Sequence, residues 1–264
     1  PYIIPELREG RNELDADFIK EEILEYWQLQ GVLHNHTTAS DGLSSLREMA
    51  EYAKDQKYQY LGICDHSQSA AYAGGLKAEE LIKQGEEIDA LNLELAPFKI
   101  FKGVESDILS NGDLDYPEEI LKTLDFVVAS VHSGLKMDEQ KANQRLIKAI
   151  ENPYTTILGH PTGRLLLLRE GYQIDHKYII DACAANNVVI ELNAHPYRLD
   201  IDWRWIPYAQ EKGVMISINP DAHEKQGYHD MYFGTLAARK GGLLQKNTLN
   251  AMSLEEFEEF LSKS

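Results

Sequence analysis

Leu33-His34-Asn35-His36, with Ser40-Asp41-Gly42 a few residues on, is the stretch that decides how this chain reads. Two histidines one residue apart on a β-strand point to the same face, because successive side chains alternate. Their imidazoles then converge on a single cation. Standing alone, the pair also has a bland reading as two partly exposed strand histidines, the lesser of the two, so the reading depends on what surrounds it.

Working outward from 31, short β-branched runs alternate with amphipathic stretches of helical period, the pattern of βα units and a parallel sheet. Strands are expected at 31–36, 60–65, 100–105, 126–131, 156–159, 188–192 and 214–219. Helices are expected at 44–56, 78–91, 117–123, 139–150, 177–186, 203–212, 231–239 and 253–262. Ser44 with Glu48 nearby, and Ser253 with Glu256 three later, mark helix starts. Seven strands is one short of the common eight-stranded barrel. Before the rhythm starts, Ile19, Ile23 and Tyr26 lie at helical spacing within 15–26. The expectation is a lead-in segment, 1–30, packed outside a single α/β barrel, 31–264.

At 264 residues the chain is long enough for one large core, as α/β barrels of this size usually have. No apolar run approaches the roughly 20 residues of a membrane span, so no membrane partner is expected. Pro1-Tyr2-Ile3-Ile4-Pro5 has neither the basic start nor the apolar stretch of a signal peptide. With no initiator Met, the chain is expected to be processed or a piece of a longer one. Two cysteines, Cys64 and Cys183, are too few for a disulfide framework or a thiolate zinc site, and a cytoplasmic setting is the default. The net charge of −17 repels phosphate backbones and argues against a dedicated nucleic-acid-binding module. Three divalent cations would bring −17 to about −11, still unfavourable for DNA.

Each expected strand ends in a residue able to ligate a metal. The first delivers His34 and His36 with Asp41 beyond, the second Asp65-His66, the third Glu105, the fourth His132, the fifth His160, the sixth Glu191 to His195, the seventh Asp221 and His223. Seven of the nine histidines thus lie at or just past strand carboxyl ends, which in a parallel barrel share the face where active sites sit. His176 and His229 fall by helices and read as surface residues. Any one of the seven, His160 for instance, has an ordinary explanation as a hydrogen-bonded structural histidine. The whole set does not, since it gathers many costly polar groups in one place.

Neutral imidazoles with carboxylates and no thiolate suit Zn, Mn or Fe, whereas Mg and Ca prefer all-oxygen sites. Six histidines and three carboxylates are too many for one ion and would serve two or three, with a bridging carboxylate and water in the open positions. Clustered divalent cations activate water at neutral pH and stabilise the oxygens of an in-line displacement at phosphorus. Such a substrate is held by the cations and nearby arginine, so an acidic surface is tolerable.

These residues resemble the PHP (polymerase and histidinol phosphatase) family over about residues 31–225. Leu33-His34-Asn35-His36-Thr37 is similar to its first motif, Asp65-His66-Ser67 to its second, Val131-His132-Ser133-Gly134 to its third and Pro220-Asp221-Ala222-His223 to its last. The resemblance implies a distorted seven-stranded (β/α) barrel with a trinuclear metal centre at the strand carboxyl ends. It implies that His34, His36, Glu105 and Asp221 hold one metal. Glu105 would bridge to a second held by His132 and His160, with Asp41, His66 and His223 on a third.

Within the family the likeness is greatest to the carboxy-terminal PHP domain of bacterial family X DNA polymerases. It extends to residues 1–9, to Gly159-His160-Pro161-Thr162-Gly163-Arg164 and to Glu191-Leu192-Asn193-Ala194. In those enzymes the domain is a Mn-dependent 3′–5′ exonuclease and phosphoesterase. Val32 departs from the Asp usual in the first motif, and His195 from the Asn usual after Ala194. No polymerase residues are present to supply the grip on DNA.

The resulting expectation is a metal-dependent phosphoesterase in which a metal-bound water attacks phosphorus. Arg164, Arg198 and His195 are its expected substrate contacts, Asp65 orients a ligand from the opposite strand face, and Cys64 belongs to the core. Three alternatives compete. A phosphatase for a small metabolite such as histidinol phosphate suits the acidic surface better than DNA does. An amidohydrolase-type barrel also opens with His-x-His, but usually has eight strands and often a bridging lysine where His132 stands. A scaffold that had lost its chemistry should have lost ligands, and all nine positions are filled.

Overall fold

The computed structural model describes residues 3–10 and 23–263. Seven parallel strands follow one another around the sheet in chain order. They are β1 (Gly31–Val32), β2 (Tyr60–Ile63), β3 (Lys99–Asp107), β4 (Phe126–Ser130), β5 (Ile157–Leu158), β6 (Val189–Asn193) and β7 (Ile216–Asn219). The helices between and after them are α1 (Leu46–Asp55), α2 (Ala78–Leu95), α3 (Glu118–Leu121), α4 (Glu139–Ile150), α5 (His176–Asn186), α6 (Ile206–Glu211), α7 (Met231–Lys240) and α8 (Leu254–Ser262). This is the expected α/β barrel, with seven strands among the described residues.

Strand alternation sorts the side chains into two cores. Ile100, Val104, Val127, Ala129, Ile190, Leu192, Ile216 and Ile218 face the helices. Tyr60, Phe101, Phe126, Val128, Ile157 and Val189 face the barrel axis. Along the axis the inward positions change character from bottom to top. On β3 they run Phe101, Gly103, Glu105, Asp107, and on β6 Val189, Glu191, Asn193. The lower barrel is therefore an apolar plug and the upper barrel a polar chamber. Phe257 of α8 closes the bottom, stacked 4.8 Å from Tyr60 and edge-on 4.9 Å from Phe101.

β1 and β7 do not pair along their length. At the carboxyl end a single bridge joins Asn35 to Ala222. At the other end Asn250 fills the seam, its Nδ2 donating to Gly31 O (3.2 Å) and Ile218 O (2.6 Å) while its Oδ1 accepts from Ile218 N (3.1 Å). One side-chain amide thus satisfies backbone groups that an eighth strand would otherwise take.

Local chemistry explains where the elements differ from expectation. The first helix is capped by Ser45 rather than Ser44, and Glu48 then falls at its third position to complete a capping box. Ser253 and Glu256 form the expected box on α8. α2 runs on to Leu95, stopping just before Pro97. The expected 203–212 helix splits into a 3-10 turn, Trp203–Trp205, and α6, because Pro207 lacks the N–H needed to continue through it. Most of the helix expected over 15–26 lies outside the described residues. Its described end is not helical: Ile23 bridges Leu244 in extended form, and Tyr26–Gln28 is a 3-10 turn. The described lead-in packs on α7, with Leu7 and Leu24 buried and Arg239 reaching Glu6 (2.9 Å) and Glu25 (2.6 Å).

Candidate metal centre

The His34-Asn35-His36 stretch is not the strand its spacing predicts. β1 ends at Val32, and His34 takes a left-handed backbone (φ 58°). Asn35 holds this turn, its Nδ2 donating to Val32 O (3.2 Å) and Gly62 O (2.9 Å), while His36 N bonds Ala222 O (2.8 Å). The two imidazoles still converge, with rings 5.4 Å apart. A pinned turn, rather than alternation along a strand, brings them together. Asp221 on the facing loop is also left-handed (φ 53°), a conformation that histidine and aspartate tolerate better than most residues.

Glu105 sits at the centre, fully buried. Its Oε1 lies 3.2 Å from His34 Nε2, 3.1 Å from His132 Nε2 and 3.0 Å from His160 Nε2. Its Oε2 lies 2.9 Å from His66 Nδ1 and 3.6 Å from His36 Nε2. Asp221 Oδ1 approaches His36 Nε2 (3.0 Å) and His34 Nε2 (3.6 Å). At the rim, Asp41 Oδ1 lies 3.3 Å from His223 Nε2 and 3.6 Å from His66 Nε2. All nine expected ligand positions are thus gathered in one chamber. Three sets have ligand atoms mutually within 4.8 Å: His34, His36, Glu105 and Asp221; His36, Asp41, His66 and His223; His66, Glu105 and His132. His160 joins the chamber through Glu105.

Surrounding residues fix these side chains. Glu191 Oε1 takes His34 Nδ1 at 2.6 Å, and Asp107 Oδ1 takes His132 Nδ1 at 2.5 Å. Each pairing turns the Nε2 of its histidine inward, the arrangement that orients ligand histidines. Glu191 also accepts from Asn219 Nδ2 (2.9 Å), His160 N (2.8 Å) and Asn193 Nδ2 (3.3 Å). Asp65 does not touch a ligand histidine. It accepts from Thr37 N (2.7 Å), Thr37 Oγ1 (2.8 Å), Ser40 Oγ (2.5 Å) and Gln84 Nε2 (2.6 Å), so it braces the loop between His36 and Asp41. That loop closes tightly at Gly42, where a Cβ would lie 2.7 Å from Thr37 O. Cys64 is buried in the barrel core, its thiol pushed up by that burial.

Three expected substrate contacts part company. Arg164 is not free to clamp phosphate: Nε bonds Arg198 O (2.9 Å), Nη1 bonds Asp202 (2.9 Å) and Nη2 bonds Leu199 O. It stitches two loops together. Arg198 reaches the chamber, with Nε 3.5 Å from Asp221 Oδ2. His195 is half-buried, accepts Tyr197 N at 3.2 Å and makes no ion pair with the chamber carboxylates among the described residues. Asp107 was missed by sequence reasoning although it stands two residues beyond Glu105 and so on the same strand face. Glu191 was noted at its strand end but given no role.

The electrostatics are those of a chamber with excess negative charge. Burial would raise Glu105, but His132, His34 and His66 hold it well below the usual carboxylate range. Asp221 is held low against burial by His34 and His36. Burial would depress His34, yet Glu191, Glu105 and Asp221 raise it well above the ordinary histidine value. Against the same burial, Glu105 and Asp107 lift His132 to about 10, and Asp41 and Asp221 lift His223 to about 9. His36 is different: burial and the neighbouring His66 take it down to about 4. Buried His34 Nε2, His66 Nδ1 and Glu105 Oε2 have no aligned hydrogen-bond partner despite these short approaches. Lone pairs that converge without hydrogen-bond alignment, beside carboxylates needing positive charge, fit divalent cations.

A parallel barrel with such a chamber at its carboxyl end defines a class, the metal-dependent hydrolase barrel. The chain belongs to the PHP domain family, whose model matches residues 33–195. It is 46% identical to the DNA polymerase/3'-5' exonuclease PolX of Bacillus subtilis (strain 168) over 264 residues, all of this chain and 46% of that protein. The chain therefore spans about half the length of that relative. A probable phosphatase of Caldanaerobacter subterraneus is 31% identical over 207 residues, covering 72% of this chain and 74% of that protein. Among solved structures, the histidinol phosphate phosphatase of Lactococcus lactis, complexed with zinc, L-histidinol and phosphate, shares the fold. It aligns with a TM-score of 0.62 at 19% identity over 81% of this chain and 94% of that one.

Proposed function

We propose that this chain hydrolyses phosphate esters with three divalent cations, Zn, Mn or Fe, held in the chamber. The assignment gives one cation to His34, His36, Glu105 and Asp221, a second to Glu105, His132 and His160, and a third to Asp41, His66 and His223. The observation that carries it is Glu105, one buried carboxylate with five imidazoles within 3.6 Å. When bound, such cations lower the pKa of water and stabilise charge on phosphoryl oxygens. The chain's own residues do the positioning. Glu191 and Asp107 keep the Nε2 atoms of His34 and His132 aimed inward, Asp65 fixes the loop that carries Asp41, and Arg198 offers its guanidinium to the substrate phosphoryl group.

The substrate we favour is the 3′ end of a DNA strand, hydrolysed as in a 3′–5′ exonuclease. The name of the 46% identical relative supports this. With a net charge of −17 the chain is a poor grip on a phosphate backbone, so the grip would come from a polymerase domain attached to it in a longer protein. The same charge favours a second reading, a phosphatase for a small metabolite, in keeping with the probable phosphatase relative. Two buried free thiols suit a reducing, cytoplasmic setting; no helix among the described residues is long and apolar enough to cross a membrane.

The test is hydrolysis of a chromogenic phosphate ester and of a 3′-recessed oligonucleotide, with and without added Mn²⁺. The expected result is Mn-dependent turnover that disappears in His132→Ala. Fully metal-loaded protein inactive on both substrates would overturn the reading. Comparing turnover of histidinol phosphate with that of the oligonucleotide separates the two substrate classes.

A further inference from the structure

The loop between β2 and α2 brings an aromatic side chain to the metal chamber. At its base the loop closes on itself, where Ser67 bridges Leu76 and Leu76 N bonds His66 O at 2.8 Å. Ser69 ties it down: its N donates to Asp115 Oδ2 (2.6 Å) and its Oγ to Asp107 Oδ2 (3.2 Å), on the carboxylate that orients His132. The tip is a 3-10 turn, Ala71–Ala73, ending at Gly74 with φ 66°. A Cβ on Gly74 would lie 3.3 Å from Ser40 O, so the turn rests against the loop that carries Asp41. Ala70 and Ala73 are buried in this seat, and Tyr72 between them is 72% exposed.

Two observations place Tyr72 at the chamber. Its ring lies 6.4 Å from that of His66, which itself packs 4.3 Å from His36 and 5.1 Å from His132. Partial burial of the hydroxyl, and then the carboxylates of Asp107, Glu105 and Asp41, push the phenol up, while Arg198 opposes them. The hydroxyl is therefore the end turned toward the chamber, within range of Arg198. It has no hydrogen-bond partner among the described residues. A phenol is a donor at neutral pH, and carboxylates engaged with cations leave it no acceptor. An anionic phosphoryl oxygen drawn into the chamber supplies one.

We propose that Tyr72 is a further substrate contact, its hydroxyl donating a hydrogen bond to a phosphoryl oxygen of the ester alongside the guanidinium of Arg198. This rests on the phosphoesterase reading. The contact is made to the phosphoryl group and not to what it carries, so it serves a monoester and a DNA 3′ end alike.

The test measures calorimetric binding of inorganic phosphate to the Mn-loaded full chain, beside turnover of the chromogenic ester and the 3′-recessed oligonucleotide. In Tyr72→Phe, Kd for phosphate and KM for each ester that the parent turns over should rise about tenfold, the loss of one hydrogen bond to a charged acceptor. A contact made equally before and during reaction leaves kcat within about twofold. Mn affinity should hold within the same limit. Tyr72→Leu should match Tyr72→Phe, because the ring takes no part. Phosphate affinity and KM unchanged in Tyr72→Phe would overturn the contact. So would a parallel loss of Mn affinity, which would make Tyr72 a prop for His66, or a leucine variant much weaker than the phenylalanine one. A metal-loaded parent that turns over neither ester sinks the phosphoesterase reading, and the contact with it.

Discussion

Replacing Glu191 by glutamine should loosen metal binding without unfolding the barrel. Glu191 is fully buried and accepts four hydrogen bonds, two on each oxygen. Glutamine keeps one carbonyl oxygen and presents an NH2 in place of the other. If the NH2 replaces Oε1, it faces His34 Nδ1, which must give up its proton; the proton moves to Nε2 and blocks the lone pair aimed at Glu105. If it replaces Oε2, it faces the His160 backbone N–H, and that donor is left unsatisfied. Either way about two hydrogen bonds to a charged acceptor are lost, at roughly 1.5 kcal/mol each. That sum, about 3 kcal/mol, is a cost to folding stability; loss of a partner that orients a ligand histidine typically costs about 10–100-fold in metal affinity. Competition against a chromogenic chelator reads this directly, and an unfolding curve in EDTA separates it from loss of fold. Affinity within about twofold of the parent, in a folded variant, would refute the claim that Glu191 orients His34.

Metal loading at pH 7 should release protons. Without a cation His132 (about 10), His223 (about 9) and His34, raised well above the ordinary value, are protonated there, and each must become neutral to ligate. Calorimetry in buffers of different ionisation enthalpy should show about three protons released, with affinity climbing as pH rises; zero release would contradict the assignment. Arg198→Met should raise KM for a phosphate ester about tenfold or more through loss of a charged contact. Arg164→Met should lower Tm and raise KM less than Arg198→Met does, because it only props the loop that carries Arg198; an equal rise in KM with an unchanged Tm would show that Arg164 has been misplaced. Phe257→Ala should cost about 3–5 kcal/mol in urea unfolding, because it empties the stack on Tyr60 and Phe101 at the barrel floor.

Much of this was legible before the structure. The βα rhythm, with a ligating residue such as Glu105, His132 or His160 at the end of each expected strand, placed the site on the carboxyl face of a parallel barrel. What the sequence hid were contacts made by turns rather than by periodic elements. The left-handed backbone at His34 gives no periodic signal, and the Asn35 amide that pins it reads as an ordinary loop residue. Arg164 looked free because its partners are two backbone carbonyls and an aspartate 38 residues away. The seam between β1 and β7 is closed by Asn250, which lies far from both strands in sequence. Asp107 was within reach of the alternation rule, two residues past Glu105, and was overlooked.

The central claim is that Glu105 sits among divalent cations. Anomalous diffraction from Mn-loaded crystals tests it most directly. The account predicts peaks about 2.0–2.3 Å from the Glu105 carboxylate, with His34 and His132 nitrogens at similar range. A loaded crystal with no peak within about 3 Å of Glu105 would contradict it.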